Sequence, residues 1–497
     1  MKLQVSFPEK DMFIQLFGEN VHIVGGYVRD SLLKCARDEG IDLLISRHPV
    51  EDIIDKLKPL GKVDLVGKSF GVIKFTIQGS TYDIVLPRTD HPKETKIRGH
   101  KDFVIAADPN LPLEQDLMRR DFRCNSIALR LIDGEIIDPL DGVSDIQAKI
   151  LRLTNPGAFP EDPLRVLRAA RFASVLGFSV DPALYKVAKD IDVSGLSAER
   201  VNEELFRILL ESPAPSVGLE ELFVLGTLRQ LFPALYRLTL TIQDSIFHPE
   251  KDQFGHHTVW KHTKITVDQA KRLADKNGMD EPRKLALLLA SLYHDTGKVT
   301  TTQWEFKKGR MVIITHGHDI TGEIITKDVF DRFKIFSWNG YDLRRTVLAL
   351  IKCHHRASEL WQNREVLTKK AFNRMNADMS GEIELLVYLD VADRAGRSET
   401  PIFSLDEQGQ WLLDKFAELE ISKENLKPII LGRDLIDKGI SPGPQMGRIL
   451  DQLYQLQLDN EFETKEQGLK LANHIIQRYA DEEKKLPPSG KSMLKKP

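Results

Sequence analysis

The stretch Ile23-Val24-Gly25-Gly26-Tyr27-Val28-Arg29-Asp30 decides how the first part of the chain folds. An apolar pair runs into two glycines, and an Arg-Asp pair follows two residues later. We interpret this pattern as the end of a strand, a tight turn and the start of a helix. Glycines let the backbone approach a ligand closely, and a helix N-terminus offers unpaired N–H groups to a phosphate. The stretch therefore predicts a phosphate-binding turn at the centre of a pocket.

Short runs rich in β-branched residues surround this turn and predict strands over residues 21–24, 41–45, 72–77 and 82–86. Residues 78–81 are typical of a hairpin turn. Apolar spacing predicts helices over 29–37 and 49–57, and the polar stretch 88–112 is expected to be a long loop. Beyond residue 160 the pattern is helical almost throughout, with later helices expected near 412–419 and 447–458. The fold class predicted is α+β, a small mixed sheet followed by mostly helical domains.

Bulk composition excludes several classes of protein. A chain of 497 residues is too long for one hydrophobic core, and no apolar run approaches the ~20 residues of a membrane span. The N-terminus lacks a signal peptide, and Cys35, Cys124 and Cys353 lie too far apart for a CxxC pair. We therefore expect a cytoplasmic protein. Its net charge of −3 means that any nucleic-acid surface is a local basic patch.

Two carboxylates are expected to lie on neighbouring strands beside the glycine turn. Asp42 and Asp83 each fall within a predicted strand. Residues at alternate positions share one face of a strand, so an Asp-x-Asp pair would supply a further ligand for a cation. Here Gly40 stands two residues before Asp42, while Glu39 would face the other side and Asp38 would lie one pleat further away. The sequence thus offers two well-placed carboxylates and not three.

Four motifs in the first half occur in a specific order. They are Gly25-Gly26-x-Val28-Arg29-Asp30, the segment Arg119-Arg120-Asp121-Phe122-Arg123-Cys124-Asn125, Asp138-Pro139-Leu140-Asp141-Gly142, and Glu161-Asp162-Pro163-Leu164-Arg165-x-x-Arg168-Ala169-x-Arg171. Over residues 20–240 the chain resembles the bacterial tRNA nucleotidyltransferase (CCA-adding) and poly(A) polymerase family. The resemblance implies a nucleotidyltransferase head that binds CTP, ATP and tRNA and depends on Mg²⁺.

The resemblance also implies a role for each matching residue. Gly25, Gly26, Arg29 and Asp30 would hold the triphosphate, and the segment with Arg119, Asp121 and Asn125 would contact sugar and phosphate. Asp162 and Arg165, whose spacing of i to i+3 places both on one helix face, would read the edge of the incoming base. Arg168 would lie on the same face, Arg171 belongs to the same motif, and residues 197–205 would support this reader. Asp42 and Asp83 would be the catalytic Mg²⁺ ligands. Asp accepts from an exocyclic amine and Arg donates to ring acceptors, which makes the assignment of the reader physically reasonable.

Gly40 is where the chain departs from the family, which places its first metal-binding Asp at that position. The departure suggests a head that binds nucleotide but transfers it slowly. Gly40→Asp should raise nucleotide addition strongly without changing affinity for CTP much, and the strand position should tolerate it. Asp38, reached through a local bulge, is the first candidate to fill the role otherwise.

The second half carries a histidine-rich constellation that resembles the HD-domain phosphohydrolases. Its stations are Lys261-His262-Thr263, His294-Asp295-Thr296-Gly297-Lys298, His316-Gly317-His318-Asp319, His354-His355 and Asp393. On that resemblance His262, His294, Asp295 and Asp393 would hold a divalent metal of undetermined identity. His318, with His354 or His355, could bind substrate phosphate or a second metal, and Lys298 could also meet phosphate. Residues 431–444 resemble the C-terminal part of family members that carry an HD domain.

These patterns predict five parts and leave three functions open. The parts are a head (1–150), a helical neck and body with the base reader (151–245), an HD domain (246–400), a helical segment (401–481) and a disordered tail (482–497). The first function is a two-activity enzyme that adds or repairs the 3′ CCA end of tRNA and hydrolyses phosphoesters. The second is a phosphohydrolase with a weakened nucleotide- or RNA-binding head, and the third is a non-enzymatic RNA-binding scaffold. The sequence does not determine the oligomeric state or whether the product is CCA, CC, A or poly(A).

Overall fold

The computed structural model describes residues 1–36, 40–66, 72–92, 103–419, 421 and 426–485. The chain forms two compact units. The first contains Met1–Lys271 and Asp328–Ile335, and the second contains Arg272–Lys327 and the residues from Phe336 onward. The division of the sequence into five parts stays a prediction.

The described residues form α-helices that are numbered here in chain order. They are α1 (Lys10–Phe17), α2 (Gly26–Leu32), α3 (Val50–Leu57), α4 (Leu113–Met118), α5 (Gly142–Ala148), α6 (Leu164–Leu176), α7 (Pro182–Ala188), α8 (Ala198–Glu211), α9 (Pro215–Val224), α10 (Thr227–Leu231), α11 (Pro233–Leu238), α12 (Val259–Lys276), α13 (Glu281–Tyr293), α14 (Lys298–Thr301), α15 (His318–Phe333), α16 (Leu343–Cys353), α17 (Arg356–Gln362), α18 (Lys369–Met379), α19 (Ile383–Ala395), α20 (Glu407–Glu418), α21 (Gly432–Ile436), α22 (Pro444–Leu458) and α23 (Lys465–Lys485).

The strands are numbered in the same way. They are β1 (Val21–Val24), β2 (Asp42–Ile45), β3 (Lys62–Val66), β4 (Val72–Ile77), β5 (Ser80–Val85), β6 (Arg88–Pro92), β7 (Phe103–Ala107), β8 (Ala128–Arg130), β9 (Ile136–Ile137), β10 (Ile150–Leu151), β11 (Ser179–Val180), β12 (Gln303–Lys307) and β13 (Arg310–Ile314).

The first unit is built around a mixed sheet in the order β3-β4-β5-β2-β1-β8-β9. Strands β2 and β5 pair in parallel, and the other neighbours pair antiparallel. Every residue of β1 is buried, as expected for a central strand covered on both faces. Helix α6 packs against α8 and α9 after the sheet. The predicted small mixed sheet and the helical region that follows it are therefore confirmed.

The turn at the two glycines is confirmed, although its helix begins earlier than expected. Gly25 has a φ of 75°, a left-handed conformation that favours glycine, and α2 starts at the next residue. The helix ends at Leu32 and not at residue 37, which lies outside the described residues. The hairpin turn between β4 and β5 is also confirmed, since Gln78 and Gly79 both have positive φ and Ile77 pairs with Ser80.

Three predictions about local structure are wrong. The polar stretch 88–112 is not a simple loop, because β6 and β7 pair antiparallel along it. Gly40 is not a strand residue, because its φ of 72° is incompatible with extended backbone and β2 begins at Asp42. Residues 482–485 are not disordered, because α23 continues to Lys485. The rest of the predicted tail lies outside the described residues.

Within the residues that the structure describes, the regular structure of the second unit is helical apart from one hairpin. Helix α13 packs against α16 and α19, and β12 and β13 form a separate two-stranded sheet. The predicted helices near 412–419 and 447–458 are confirmed as α20 and α22, and α21 to α23 share a small core around Ile449 and Leu453. Among the residues that the structure describes, no helix is long and apolar enough to cross a membrane.

Candidate functional site

The two predicted carboxylates lie side by side in the sheet of the first unit. Asp42 on β2 is the register partner of Asp83 on β5. Asp42 also adjoins the glycine turn, since a Cβ placed on Gly25 would lie 3.4 Å from both Asp42 Oδ2 and Arg120 Nη1. Burial raises the pKa of Asp42 to about 6, and the neighbouring Asp83 adds to the shift against the opposing charge of Arg120. A bound cation would relieve this unfavourable accumulation of negative charge.

Asp83 carries a further sign that these oxygens suit a cation. Its Oδ1 atom is buried and makes no hydrogen bond to any residue that the structure describes. The ion pair between Asp83 and Lys74 is long, since Lys74 Nζ lies 4.0 Å from Asp83 Oδ1. Carboxylate oxygens are the ligands that Mg²⁺ prefers, so the donor set fits that ion. Asp38, the candidate for a third ligand, lies outside the described residues.

A buried polar network links the glycine turn to the segment of residues 119–125. Arg29 in α2 donates from Nε to Asp30 Oδ1 at 2.8 Å and from Nη1 to Asn125 Oδ1 at 2.7 Å. Asn125 in turn donates from Nδ2 to Asp121 Oδ1 at 3.1 Å. These hydrogen bonds orient the side chains of Arg29, Asn125 and Asp121 without a ligand. The structure therefore brings together two motifs that are 96 residues apart.

The same network continues into α6 and α8. Arg168 donates to Asp121 Oδ2 at 2.7 Å, and Arg171 donates to Glu204 Oε2 at 2.6 Å. The ring of Phe172 lies under three guanidinium groups, with centroid distances of 5.0 Å to Arg29, 5.2 Å to Arg168 and 4.1 Å to Arg171. The helix that bears the predicted base reader is thus joined to the predicted phosphate-binding turn.

The predicted base reader differs in detail from the expectation of one helical face. Asp162 precedes α6, and its Oδ1 accepts from the backbone N–H of Leu164 at 3.2 Å. Both carboxylate oxygens of Asp162 also accept from Arg200 Nη2, at 3.0 and 2.9 Å. Arg165 donates instead to the backbone carbonyls of Ala158 and Arg119, at 2.7 and 2.8 Å. Asp162 and Arg165 are therefore held by different partners.

Sequence reasoning missed two residues beside the nucleotide-binding motifs. Asp116 is fully buried and accepts hydrogen bonds from both Arg119 and Arg120. Arg120 also acts on Asp42, because its positive charge lowers the pKa of that carboxylate against the effect of burial. The spacing of three and four residues within and just beyond α4 is the signal that could have found Asp116. Arg200, noted only as part of a supporting segment, gave no sequence signal that it contacts Asp162.

The second unit gathers most of the predicted HD residues. His294 Nε2 lies 3.2 Å from Asp295 Oδ2 and 3.5 Å from Asp393 Oδ1. Lys298 donates to Asp295 Oδ2 at 2.7 Å. Burial alone would lower the pKa of His294, but the carboxylates of Asp295 and Asp393 outweigh it and raise the pKa to about 10. His294, Asp295 and Asp393 are therefore together, with Lys298 beside them.

A cluster of three imidazoles adjoins Asp295. His318 Nε2 lies 3.4 Å from Asp295 Oδ1, 3.3 Å from His354 Nε2 and 2.9 Å from His355 Nε2. The Nδ1 atoms of His318 and His354 face the backbone carbonyls of Thr315 and Ile351. A neutral ring whose Nδ1–H donates to a carbonyl presents a lone pair at Nε2. Converging lone pairs repel unless a proton or a cation lies between them, so this donor set fits a divalent metal.

His262 lies in the part of α12 that belongs to the first unit. It is fully buried, and its Nδ1 lies 3.3 Å from Glu250 Oε1, which is also 3.1 Å from His248 Nδ1. These three side chains place their ligand atoms close enough to share a metal ion. Sequence reasoning missed His248 and Glu250, although a His-x-Glu spacing ahead of a helix with a predicted ligand was available as a signal.

Comparison with known proteins agrees with both constellations. Residues 21–152 match the family described as "Poly A polymerase head domain", and residues 259–396 match the family described as "HD domain". Among solved structures, the fold is similar to that of the Bacillus stearothermophilus CCA-adding enzyme in complex with CTP, with a TM-score of 0.58, 21% identity and coverage of 97% and 100% of the two chains. It is also similar to the Thermotoga maritima CCA-adding enzyme complexed with tRNA, with a TM-score of 0.50, 19% identity and coverage of 95% and 96%.

Sequence relatives are more similar than these structures. The "Multifunctional CCA protein" of Xanthomonas campestris pv. campestris (strain B100) is 31% identical over 438 residues, which cover 86% of this chain and 96% of the relative. The protein of the same name from Hahella chejuensis (strain KCTC 2396) is 33% identical over 396 residues, which cover 76% and 84%. The expected family is confirmed, and the chain belongs to the multifunctional CCA proteins.

Proposed function

We propose that this chain is a tRNA nucleotidyltransferase that adds or repairs the 3′ CCA end from CTP and ATP, and that its HD domain hydrolyses phosphoesters. The observation that carries the first activity is the buried network from Arg29 through Asn125 and Asp121 to Arg168, which lies in the unit that holds Asp42 and Asp83. It joins a phosphate-binding turn, a sugar-contacting segment and a base reader into one rigid frame. Such a frame positions a nucleotide before any chemistry occurs.

In the head, Asp42 and Asp83 would hold Mg²⁺. When bound, that ion lowers the pKa of the attacking hydroxyl and stabilises the leaving pyrophosphate. The protein's own contribution is positioning. Gly25 leaves room for the triphosphate beside Asp42, while Arg29 and Arg120 supply positive charge there. Gly26, Asp30, Arg119 and Asn125 would complete the contacts to phosphate and sugar.

Selection of the base would rest on Asp162 and Arg165. A carboxylate has about four lone-pair positions, so Asp162 can accept from an exocyclic amine while it keeps its contact with Arg200. Arg165 would donate to the ring acceptors, and Arg171 and Arg168 would hold α6 in place through Glu204 and Asp121.

In the HD domain, His294, Asp295 and Asp393 would hold the divalent metal, which activates water when bound. His318, His354 and His355 would hold a second metal ion, and the phosphoester would bind beside that ion and Lys298. Lys298 keeps its ammonium group beside Asp295, where a phosphate oxygen would find a cationic partner. We infer cytoplasmic action, because tRNA is the proposed substrate.

The decisive experiment incubates the purified protein with tRNA that lacks its 3′ end, Mg²⁺ and labelled CTP or ATP. We expect incorporation of C and then A, resolved on a sequencing gel. Absence of incorporation while nucleotide still binds would support the alternative of a weakened head instead. Hydrolysis of a 2′,3′-cyclic mononucleotide in the presence of added Mn²⁺ or Ni²⁺ tests the second activity independently.

A further inference from the structure

The hairpin formed by β12 and β13 exposes an unusual amount of aromatic surface. Trp304 is 59% exposed, Phe306 is 68% exposed and Met311 on the opposite strand is 51% exposed. Burying such side chains is worth about 1.5–3 kcal/mol each, so leaving three of them in water is a cost that folding alone does not explain. This hairpin is not used by either activity described above.

The exposed side chains share one face. Trp304 and Phe306 are two residues apart on β12, and alternate residues of a strand point to the same side. Their register partners are Ile313 and Met311. The face therefore carries two aromatic rings about 7 Å apart along the strand, each beside an aliphatic side chain.

Positive charge gathers at the turn of the same hairpin. Residues 303–314 contain Lys307, Lys308 and Arg310 against the single acid Glu305, a net charge of +2 in a chain whose net charge is −3. Lys307 pairs with Glu305 at 2.7 Å. The combination of aromatic rings with surplus cations is typical of surfaces that bind single-stranded nucleic acid, whereas protein interfaces are depleted in lysine.

The hairpin is also continuous with the HD residues. Helix α14, which starts at Lys298, ends two residues before the start of β12, and β13 ends four residues before His318. Both strands are thus anchored beside residues that would receive a phosphoester. A strand of RNA whose terminal phosphate lies among those residues has its preceding nucleotides within reach of the hairpin.

From these observations we propose that the β12–β13 hairpin is a stacking platform for the single-stranded 3′ end of an RNA whose terminal phosphate enters the HD site. Trp304 and Phe306 would each stack on a base, and Lys308 and Arg310 would meet backbone phosphates. The proposal rests on the proposed phosphohydrolase function and adds that its substrate class is the end of an RNA and not a free nucleotide.

The test compares two substrates on the full-length protein, with the divalent metal that supports hydrolysis. One is a 2′,3′-cyclic mononucleotide, and the other is a six-residue oligoribonucleotide ending in a 2′,3′-cyclic phosphate. We expect Trp304→Ala and Phe306→Ala each to lower kcat/KM for the oligonucleotide about tenfold while leaving the mononucleotide unchanged. Lys308→Ala should reduce the salt dependence of oligonucleotide binding. Gln303→Ala is the matched control, because that exposed side chain points to the other face of β12.

The proposal would be overturned if the ratio of kcat/KM for the oligonucleotide to kcat/KM for the mononucleotide were the same in wild type and both aromatic variants. If that ratio is unchanged and light scattering shows a change in oligomeric state, the hairpin is a protein interface and the proposal is likewise wrong. If neither substrate is hydrolysed, the proposed phosphohydrolase function fails. The platform is then tested by photocrosslinking a 5-iodouridine oligonucleotide and mapping the adduct by mass spectrometry. An adduct on residues 303–314 that Trp304→Ala removes supports it, and crosslinks confined to other peptides refute it.

Discussion

The two polar centres of the molecule satisfy their charged groups in opposite ways. In the first unit, guanidinium groups neutralise carboxylates directly, as in the pairs of Arg168 with Asp121 and Arg171 with Glu204. In the second unit, the imidazoles of His318, His354 and His355 turn their Nε2 atoms toward one another. The arginine–carboxylate pairs of the first unit need no ligand. The imidazole cluster of the second unit needs a proton or a cation between its Nε2 atoms, so removal of metal should perturb this cluster and leave the arginine–carboxylate pairs intact.

The largest effects come from removing one carboxylate from each centre. Asp42→Asn should lower nucleotide addition about 10³-fold, because the metal would lose a charged ligand, while hydrolysis of a cyclic phosphate persists. Asp295→Asn should abolish hydrolysis and metal retention while nucleotide addition persists. Gel assays of addition, hydrolysis rates and elemental analysis measure the three quantities. Loss of both activities in either variant would show that the two centres are not independent.

A second prediction concerns the stability of the paired network. Asp121→Asn leaves the buried Arg168 without its carboxylate partner, and we expect it to lower the free energy of unfolding by about 3 kcal/mol. Urea denaturation of the first-unit transition measures it. Asp133→Asn is the control, since Asp133 pairs with Arg130 at an exposed site. An equal loss of unfolding free energy in both variants would mean that the buried Asp121–Arg168 pair stabilises the fold no more than an exposed pair does.

The same pair gives the network a defined dependence on pH. Burial opposes ionisation of Asp121, but Arg168 and Asn125 outweigh it and hold its pKa at about 2. Because the folded pKa is depressed, the contribution is present above the unfolded pKa of about 4 and is lost as the pH falls toward 2. As the pH falls from about 4 to about 2, the free energy of unfolding should therefore decrease less in Asp121→Asn than in wild type.

A third prediction concerns selection of the base. Arg200→Ala removes the group that orients Asp162, and we expect discrimination of CTP and ATP against UTP and GTP to fall about tenfold, within the range for one base contact. Arg207→Ala is the matched control, because Arg207 lies on the same helix and pairs only locally with Glu211. Nucleotide preference should be measured by competition. Identical preference in the two variants would remove Arg200 from the reader.

What the sequence could predict was local. The glycine turn and strands β1, β2 and β4 follow from short-range patterns of apolar residues and turn residues, and the positions of Asp42 and Asp83 follow from the strands. The partners of the arginines could not be predicted. Arg200 and Asp162 are 38 residues apart, and many other acidic residues are equally compatible with the pattern. Pairing at that separation is decided by how α6 and α8 pack, which composition and periodicity do not encode.

Backbone conformation was the other quantity hidden from the sequence. The expectation that Gly40 occupies a strand relied on the apolar run that follows it. The left-handed conformation of Gly40 instead places this residue before the first residue of β2, Asp42. Likewise β6 and β7 pair antiparallel although a loop was expected there. The sequence of β7, Phe103–Ala107, is apolar throughout and therefore shows no alternation with a period of two.

The smallest change in nucleotide addition is expected at Gly40, where the structure reverses the expectation drawn from the sequence. Since its φ is 72°, an Asp there would be strained, and we expect Gly40→Asp to lower stability by about 1 kcal/mol. No described atom lies within 4 Å of the Cβ position, so no described neighbour at that point would hold a carboxylate at residue 40 beside Asp42 and Asp83. We therefore expect nucleotide addition to stay within about twofold of wild type, in contrast to the strong gain that a strand position would give. Gly40→Ala should show the same loss of stability, which separates backbone strain from charge. A large gain in addition by Gly40→Asp alone would mean that the backbone becomes extended at residue 40 and that the head of the wild-type protein lacks a ligand which this substitution restores.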